Sequence, residues 1–136
     1  MIIAFWCVLI AGMLPLGCAY MAKFGGAPVS PDAPRFDNRE PRAWLARQTG
    51  FRARANAAQA NSFEAFPLFA AGVVIAVLQH VPVATIDLLA MGFIAARVVY
   101  IGLYVSDRAS LRSLAWVVGF ACCVGLFLVA ATGTLR

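Results

Sequence analysis

Charge is what this chain has least of. Only 12% of its 136 residues are Asp, Glu, Lys or Arg, against about 25% in ordinary soluble domains. Hydrophobic residues make up 62% of the chain. A soluble core of this length could not hide that much apolar surface, because small domains leave much of their surface exposed. Disorder is excluded for the opposite reason, since disordered chains are poor in apolar residues. With a mean hydropathy of +0.83, the solvent for most of the chain is lipid. Histidine is represented by His80 alone, and the cysteines Cys7, Cys18, Cys122 and Cys123 show no Cys-x-x-Cys spacing. Zinc and disulfide frameworks need better arithmetic than this, so no metal site is expected and the thiols read as small buried hydrophobes. Aromatic-interleaved basic motifs are missing as well. The net charge of +5 therefore does not point to nucleic acid.

What remains is a series of apolar runs. A crossing helix needs about 20 such residues, and Met1–Ala22 has that length without a charge, interrupted only by Pro15, where a kink is expected. A cleaved signal peptide would begin with Lys or Arg, and nothing basic precedes Lys23, so this run reads as a retained span. Residues 23–50 hold Pro28, Pro31, Pro34 and Pro41 and eight of the seventeen charged residues. They read as a loop with a short interfacial turn around Trp44. Further spans are expected at about 51–79, 83–105 and 111–131, giving one all-α, four-helix membrane domain over residues 1–136. Basic residues crowd the 23–54 and 106–112 connections, whereas 79–82 has none. The positive-inside rule then puts those basic loops in the cytoplasm and both termini on the other side. Ala115, Gly119 and Cys123 offer a small-residue packing face on the last span. The chain shows neither the internal repeats nor the broken helices of a transporter.

Ionisable groups inside spans cost free energy and mark candidate sites. On the second span Arg54, Asn61 and Glu64 share one side, with Asn56, Gln59 and Ser62 on a second stripe roughly opposite. A helix polar on two sides cannot face lipid with both, which argues for an oligomer. On the third span Arg97, Tyr100 and Tyr104 share a face. Arg97 either neutralises Glu64 with Asn61 completing the hydrogen bonds, or binds a carboxylate-bearing ligand, and the two tyrosines could equally form an interfacial belt. Arg112, followed by Ser113, opens the fourth span, where it either anchors the helix or stabilises a bound thiolate.

These residues carry a resemblance. RARANAAQANSFEAFPLF (residues 52–69), with Asn61, Glu64, Pro67 and Phe69, resembles the signature of the membrane-associated proteins in eicosanoid and glutathione metabolism, the MAPEG family. ARVVYIGLY (residues 96–104) is similar to that family's Arg-Tyr-Tyr strip, and Arg112-Ser113 to its Arg-Ser pair. The resemblance, to a bacterial-type member, implies a homotrimeric four-helix bundle in the cytoplasmic (inner) membrane, with glutathione as cofactor between subunits. Arg54, Asn61, Glu64, Arg97, Tyr100 and Tyr104 would line the glutathione pocket, and Arg112 with Ser113 would activate the thiol. The implied activity is a glutathione-dependent transferase or peroxidase acting on lipophilic electrophiles or hydroperoxides. The chain departs from the family pattern at Ala57 and Gln59, where catalytic members have arginine and histidine, and at Trp116, where tyrosine is frequent. Arg54, one turn earlier than Ala57, is the candidate replacement for the missing arginine. Those departures keep a second expectation open, of a non-catalytic subunit of a larger membrane complex, or a lipid binder.

Overall fold

The computed structural model describes residues 3–26 and 35–133. Pro28, Pro31 and Pro34 of the expected loop, and Arg136 of the tail, lie outside the described residues. Four long helices, α1 (Ile3–Phe24), α3 (Gly50–Leu78), α4 (Val83–Val105) and α5 (Ala109–Gly133), run up and down as a bundle, with a short α2 (Pro41–Ala46) before α3. Each of the four is long and apolar enough to cross a membrane, and no strand occurs among the described residues. The protein is an all-α, multi-pass membrane bundle.

Residue size decides how the helices meet. α1 turns Ala4, Cys7, Ala11, Pro15, Cys18 and Ala22 inward, a stripe of small side chains that lets its backbone lie close to α3. The helix continues through Pro15. α5 does the same against α4 with Ala115, Gly119 and Cys123, so the expected small-residue face is buried, and the inward line continues two turns further through Leu126 to Ala130. α3 and α4 touch each other and both flanking helices. Large side chains instead point outward, Leu9, Leu88 and Leu128 among them. That inversion of the soluble pattern follows from a lipid solvent, in which outward leucine costs nothing.

Two apolar clusters fill the interior. The larger contains Phe69 stacked on Phe93, with ring centroids 3.9 Å apart, together with Ile86 and Leu126. The smaller holds Cys18, Ala58, Tyr100, Ile101 and Ala115. Ser62 and Arg97, both buried, sit between them in sequence and form a polar layer.

The helix ends are fixed by local chemistry. α3 and α4 both finish in Schellman turns. His80 N–H donates to Val77 and Val81 N–H to Ala76, while Asp107 N–H donates to Tyr104 and Arg108 N–H to Leu103. His80 and Asp107 therefore take the left-handed conformation, at φ 55° and 61°. At the end of the bundle that carries the α3–α4 turn, buried Asp87 accepts a 2.8 Å hydrogen bond from Ala4 N–H, closing the N-terminus of α1 with a carboxylate from α4. At the opposite, basic end the expected turn around Trp44 takes the form of α2, whose buried indole meets Phe36 edge-on at 5.3 Å. Arg52 donates to the Gly25 carbonyl at 3.0 Å and lies over the Trp44 ring, which ties the end of α1 to the start of α3.

Candidate functional site

The polar layer is organised around one guanidinium. Arg97 is 3% exposed on α4, with Phe93 one turn before it and Tyr100 one turn after. Its Nη1 donates to Asn61 Oδ1 and its Nη2 to Ser62 Oγ, both at 2.9 Å. Ser62 passes its own hydrogen to the Ala58 carbonyl at 2.8 Å. Asn61 Nδ2 in turn donates to Glu64 Oε2 at 3.3 Å. The amide of Asn61 thus links cation to carboxylate, and no direct Arg97–Glu64 ion pair occurs among the described residues. The two stripes expected on opposite sides of α3 converge here. Asn61 and Ser62 are neighbours only about 100° apart on the helix, and the guanidinium fork reaches both.

Above this layer the α4 face continues as a ladder of rings and cations. The Arg97 guanidinium lies 4.2 Å from the Tyr100 ring centroid. Tyr100 meets Tyr104 edge-on at 5.5 Å, and Arg112 sits 4.3 Å above the Tyr104 ring. Such contacts fix planar cations where water is scarce. Arg112 belongs to α5, so the ladder joins the starts and ends of two helices at the basic end. Ser113 spends its hydroxyl hydrogen on the Ala109 carbonyl at 3.1 Å.

Two adjoining recesses follow from this arrangement. One, between α3, α4 and α5, is lined by Asn61, Glu64 and Arg97 on its polar side, and by Leu68, Phe93 and Phe120 on its apolar side. The other is lined by Tyr100, Tyr104, Arg112, Ser113 and Trp116. Trp116 belongs to both. The structure therefore gathers Asn61, Glu64, Arg97, Tyr100, Tyr104, Arg112 and Ser113 along one continuous side of the bundle. Arg54 stands apart: its Nε donates to the Val105 carbonyl at 3.1 Å, and its Nη1 lies 3.7 Å from Asp107 Oδ2. It holds the α4–α5 turn rather than either recess. Gln59 and Ala57 line neither recess.

Three contributors escape a reading of the sequence. Ser62 shares the Arg97 fork, whereas its place on the second polar stripe of the span gives it no role beside Arg97. Phe120 completes the apolar wall, and only its spacing of four from Trp116 could have shown it. Asp87 is the third, a charge within a span whose partner is a backbone N–H 83 residues away.

The donor set suits a small zwitterion with carboxylates. A guanidinium and an amide supply N–H groups, and a carboxylate supplies an acceptor for an ammonium. A family model described as the MAPEG family matches residues 3–132. No curated protein and no solved structure matches the chain.

Proposed function

The chain belongs to the MAPEG family, and we propose that it is a membrane-bound glutathione-dependent transferase or peroxidase acting on lipophilic electrophiles or hydroperoxides. One observation carries this reading. A buried arginine is linked through Asn61 to a carboxylate on the wall of a cleft, and a second arginine stands one recess away over Tyr104. A buried cation inside a bilayer costs free energy, and a hydrogen-bonded cation beside an open recess is suited to an anionic ligand.

In this reading Arg97 and Asn61 donate to the carboxylates of the tripeptide, and Glu64 accepts from its ammonium. Arg112 stabilises the thiolate, since a nearby positive charge favours the ionised thiol. Tyr104 positions Arg112 by offering its ring face. The thiolate then attacks a substrate that arrives from the lipid. The recess of about 170 Å³ is small beside the roughly 300–1,000 Å³ of ordinary ligand pockets. A second copy of the chain would supply the missing wall, consistent with a homotrimer, and the basic end would face the cytoplasm.

The test is a glutathione titration of detergent-purified protein followed by thiolate absorbance. We expect thiolate at saturation in the parent and its loss in Arg112→Ala, where roughly 10²–10³-fold in rate goes with one stabilising group. A parent protein that generates no thiolate overturns the proposal.

A second reading rests on a specific observation. Arg54, the one candidate to replace the arginine absent at Ala57, is spent on Val105 and Asp107. A bundle that kept its architecture and lost its chemistry would look the same there, serving as a subunit of a membrane complex or holding a lipid. Purified protein that carries phospholipid in place of a tripeptide, seen by native mass spectrometry, would favour it.

A further inference from the structure

Trp116 partitions the two recesses, and its surroundings say what it receives. Its indole is stacked on Phe120, one helical turn away, with centroids 5.2 Å apart and planes 6° from parallel. The two rings form a two-layer shelf on α5, 40% and 46% exposed, with Phe120 backing one face of the indole. Gly119 lies between them in sequence, and a Cβ there would stand 3.6 Å from Ala96 Cβ and 3.9 Å from both Arg97 Cδ and Phe93 Cδ2; Trp116, Gly119 and Phe120 line the same recess as Arg97. Indole is a hydrogen-bond donor only, so it offers neither a base nor a useful acid. What it offers is a large electron-rich face. Arg97 uses two of its N–H groups on Asn61 and Ser62, and a guanidinium has five. The remainder suit an oxygen that gains negative charge beside the shelf.

We propose that Trp116, backed by Phe120, selects a planar, electron-poor conjugated carbonyl compound as the lipophilic substrate, a quinone being the simplest member of the class. This rests on the thiol-transfer reading above and narrows it. The step is an addition. The thiolate sulfur bonds to the ring carbon conjugated to the carbonyl, and the C=C pair moves onto the carbonyl oxygen, which takes a proton. Loss of the ring C–H proton and protonation of the second carbonyl oxygen then give the thioether of the hydroquinone. The product is the sum of thiol and quinone, so no oxidant, reductant or leaving group is needed. Alkyl electrophiles and alkyl hydroperoxides have no face to lay on the shelf and gain nothing from it.

The experiment compares menadione with decyl iodide, both with glutathione, in the detergent-purified oligomer. Stacking of a planar ring on an aromatic side chain is worth enough that Trp116→Leu should lower kcat/KM for menadione about 10-fold. Decyl iodide should fall by a clearly smaller factor under the same change, and Trp116→Phe, which keeps a flat face, should recover most of the menadione rate. A second readout needs no thiol chemistry. Menadione alone should quench tryptophan emission saturably in the parent, and that saturable part should vanish in Trp116→Phe, leaving Trp6 and Trp44. The proposal is overturned if saturable quenching survives in Trp116→Phe, or if both substrates fall together in Trp116→Leu. A parent that forms no conjugate yet shows the saturable quenching sinks the thiol-transfer reading and upholds the shelf.

Discussion

Arg97 illustrates how a single residue can be bought at a loss and kept for use. Placing a cation at the middle of a membrane helix costs about 2.5–3.5 kcal/mol on insertion scales. Two neutral hydrogen bonds, to Asn61 and Ser62, and a ring face return part of that. No carboxylate touches it directly among the described residues. Replacement of a whole buried ion pair by apolar side chains is often neutral or stabilising, because no charge is left stranded, and removal of Arg97 strands none, its direct partners being neutral. We therefore expect Arg97→Met to leave the thermal midpoint of ligand-free protein unchanged or slightly higher, while glutathione no longer raises it. A fall of many degrees in the ligand-free midpoint would show instead that Arg97 is architecture. Arg97, Asn61 and Glu64 were legible in the sequence because polar side chains stand out in an apolar run. Their connection was not, since whether the cation meets the carboxylate directly or through the amide depends on about an ångström of helix position. Arg54 shows the other limit. Its spacing on α3 put it with Asn61 and Glu64, but its long side chain runs the other way, to a carbonyl left open by the end of α4.

At the scale of the element, the helices were readable and their fastenings were not. Apolar run length gives α1, α3, α4 and α5 directly, and small residues at a spacing of four give the inward stripe of α5, whereas the matching stripe of α1 emerges only from the structure. Asp87 fastens α1 through a backbone N–H, which has no side-chain signature to read. A carboxylate at the positive end of a helix gains both a hydrogen bond and a favourable dipole term. Asp87→Ala should cost about 1–2 kcal/mol and speed amide exchange in the first turns of α1. Asp87→Asn keeps an acceptor and should cost less, and equal losses for both would remove the hydrogen bond from the account. His80 offers the opposite test. It occupies a left-handed position at φ 55°, where glycine is unstrained, and its side chain is exposed. His80→Gly should stabilise by ~0.5–1 kcal/mol, read as a small rise in the thermal midpoint. A fall would mean that the imidazole makes a contact of its own at the α3–α4 turn.

The whole molecule is shaped by what one chain leaves uncovered. Along α3 one row of exposed positions runs Ala60, Glu64, Leu68, Ala71 and Ile75, beside a second of Phe63, Pro67, Val74 and Leu78. Lipid would be a poor neighbour for the first stripe, because a carboxylate at bilayer depth faces protein or a water-filled cavity, and small residues mark surfaces where helices approach closely. The exposed face of α4 carries no charge, its larger members including Leu88, Met91, Val98 and Val99, with Ala84, Ala95 and Gly102 among them, as a lipid boundary requires. A second and third copy meeting along α3 would shelter Glu64 and close the shallow recess beside it. On that geometry Ala71→Trp, which adds a large ring to the stripe well below Glu64, should shift the detergent-solubilised particle from trimer to smaller species by native mass spectrometry. Leu88→Trp, on the lipid side, should leave its mass unchanged. If the parent is a single chain under conditions that retain bound lipid, or if Ala71→Trp assembles as the parent does, then α3 is not the seam. Glu64 would then have to find its shelter inside one protomer, and the glutathione pocket would have to be complete without a neighbour.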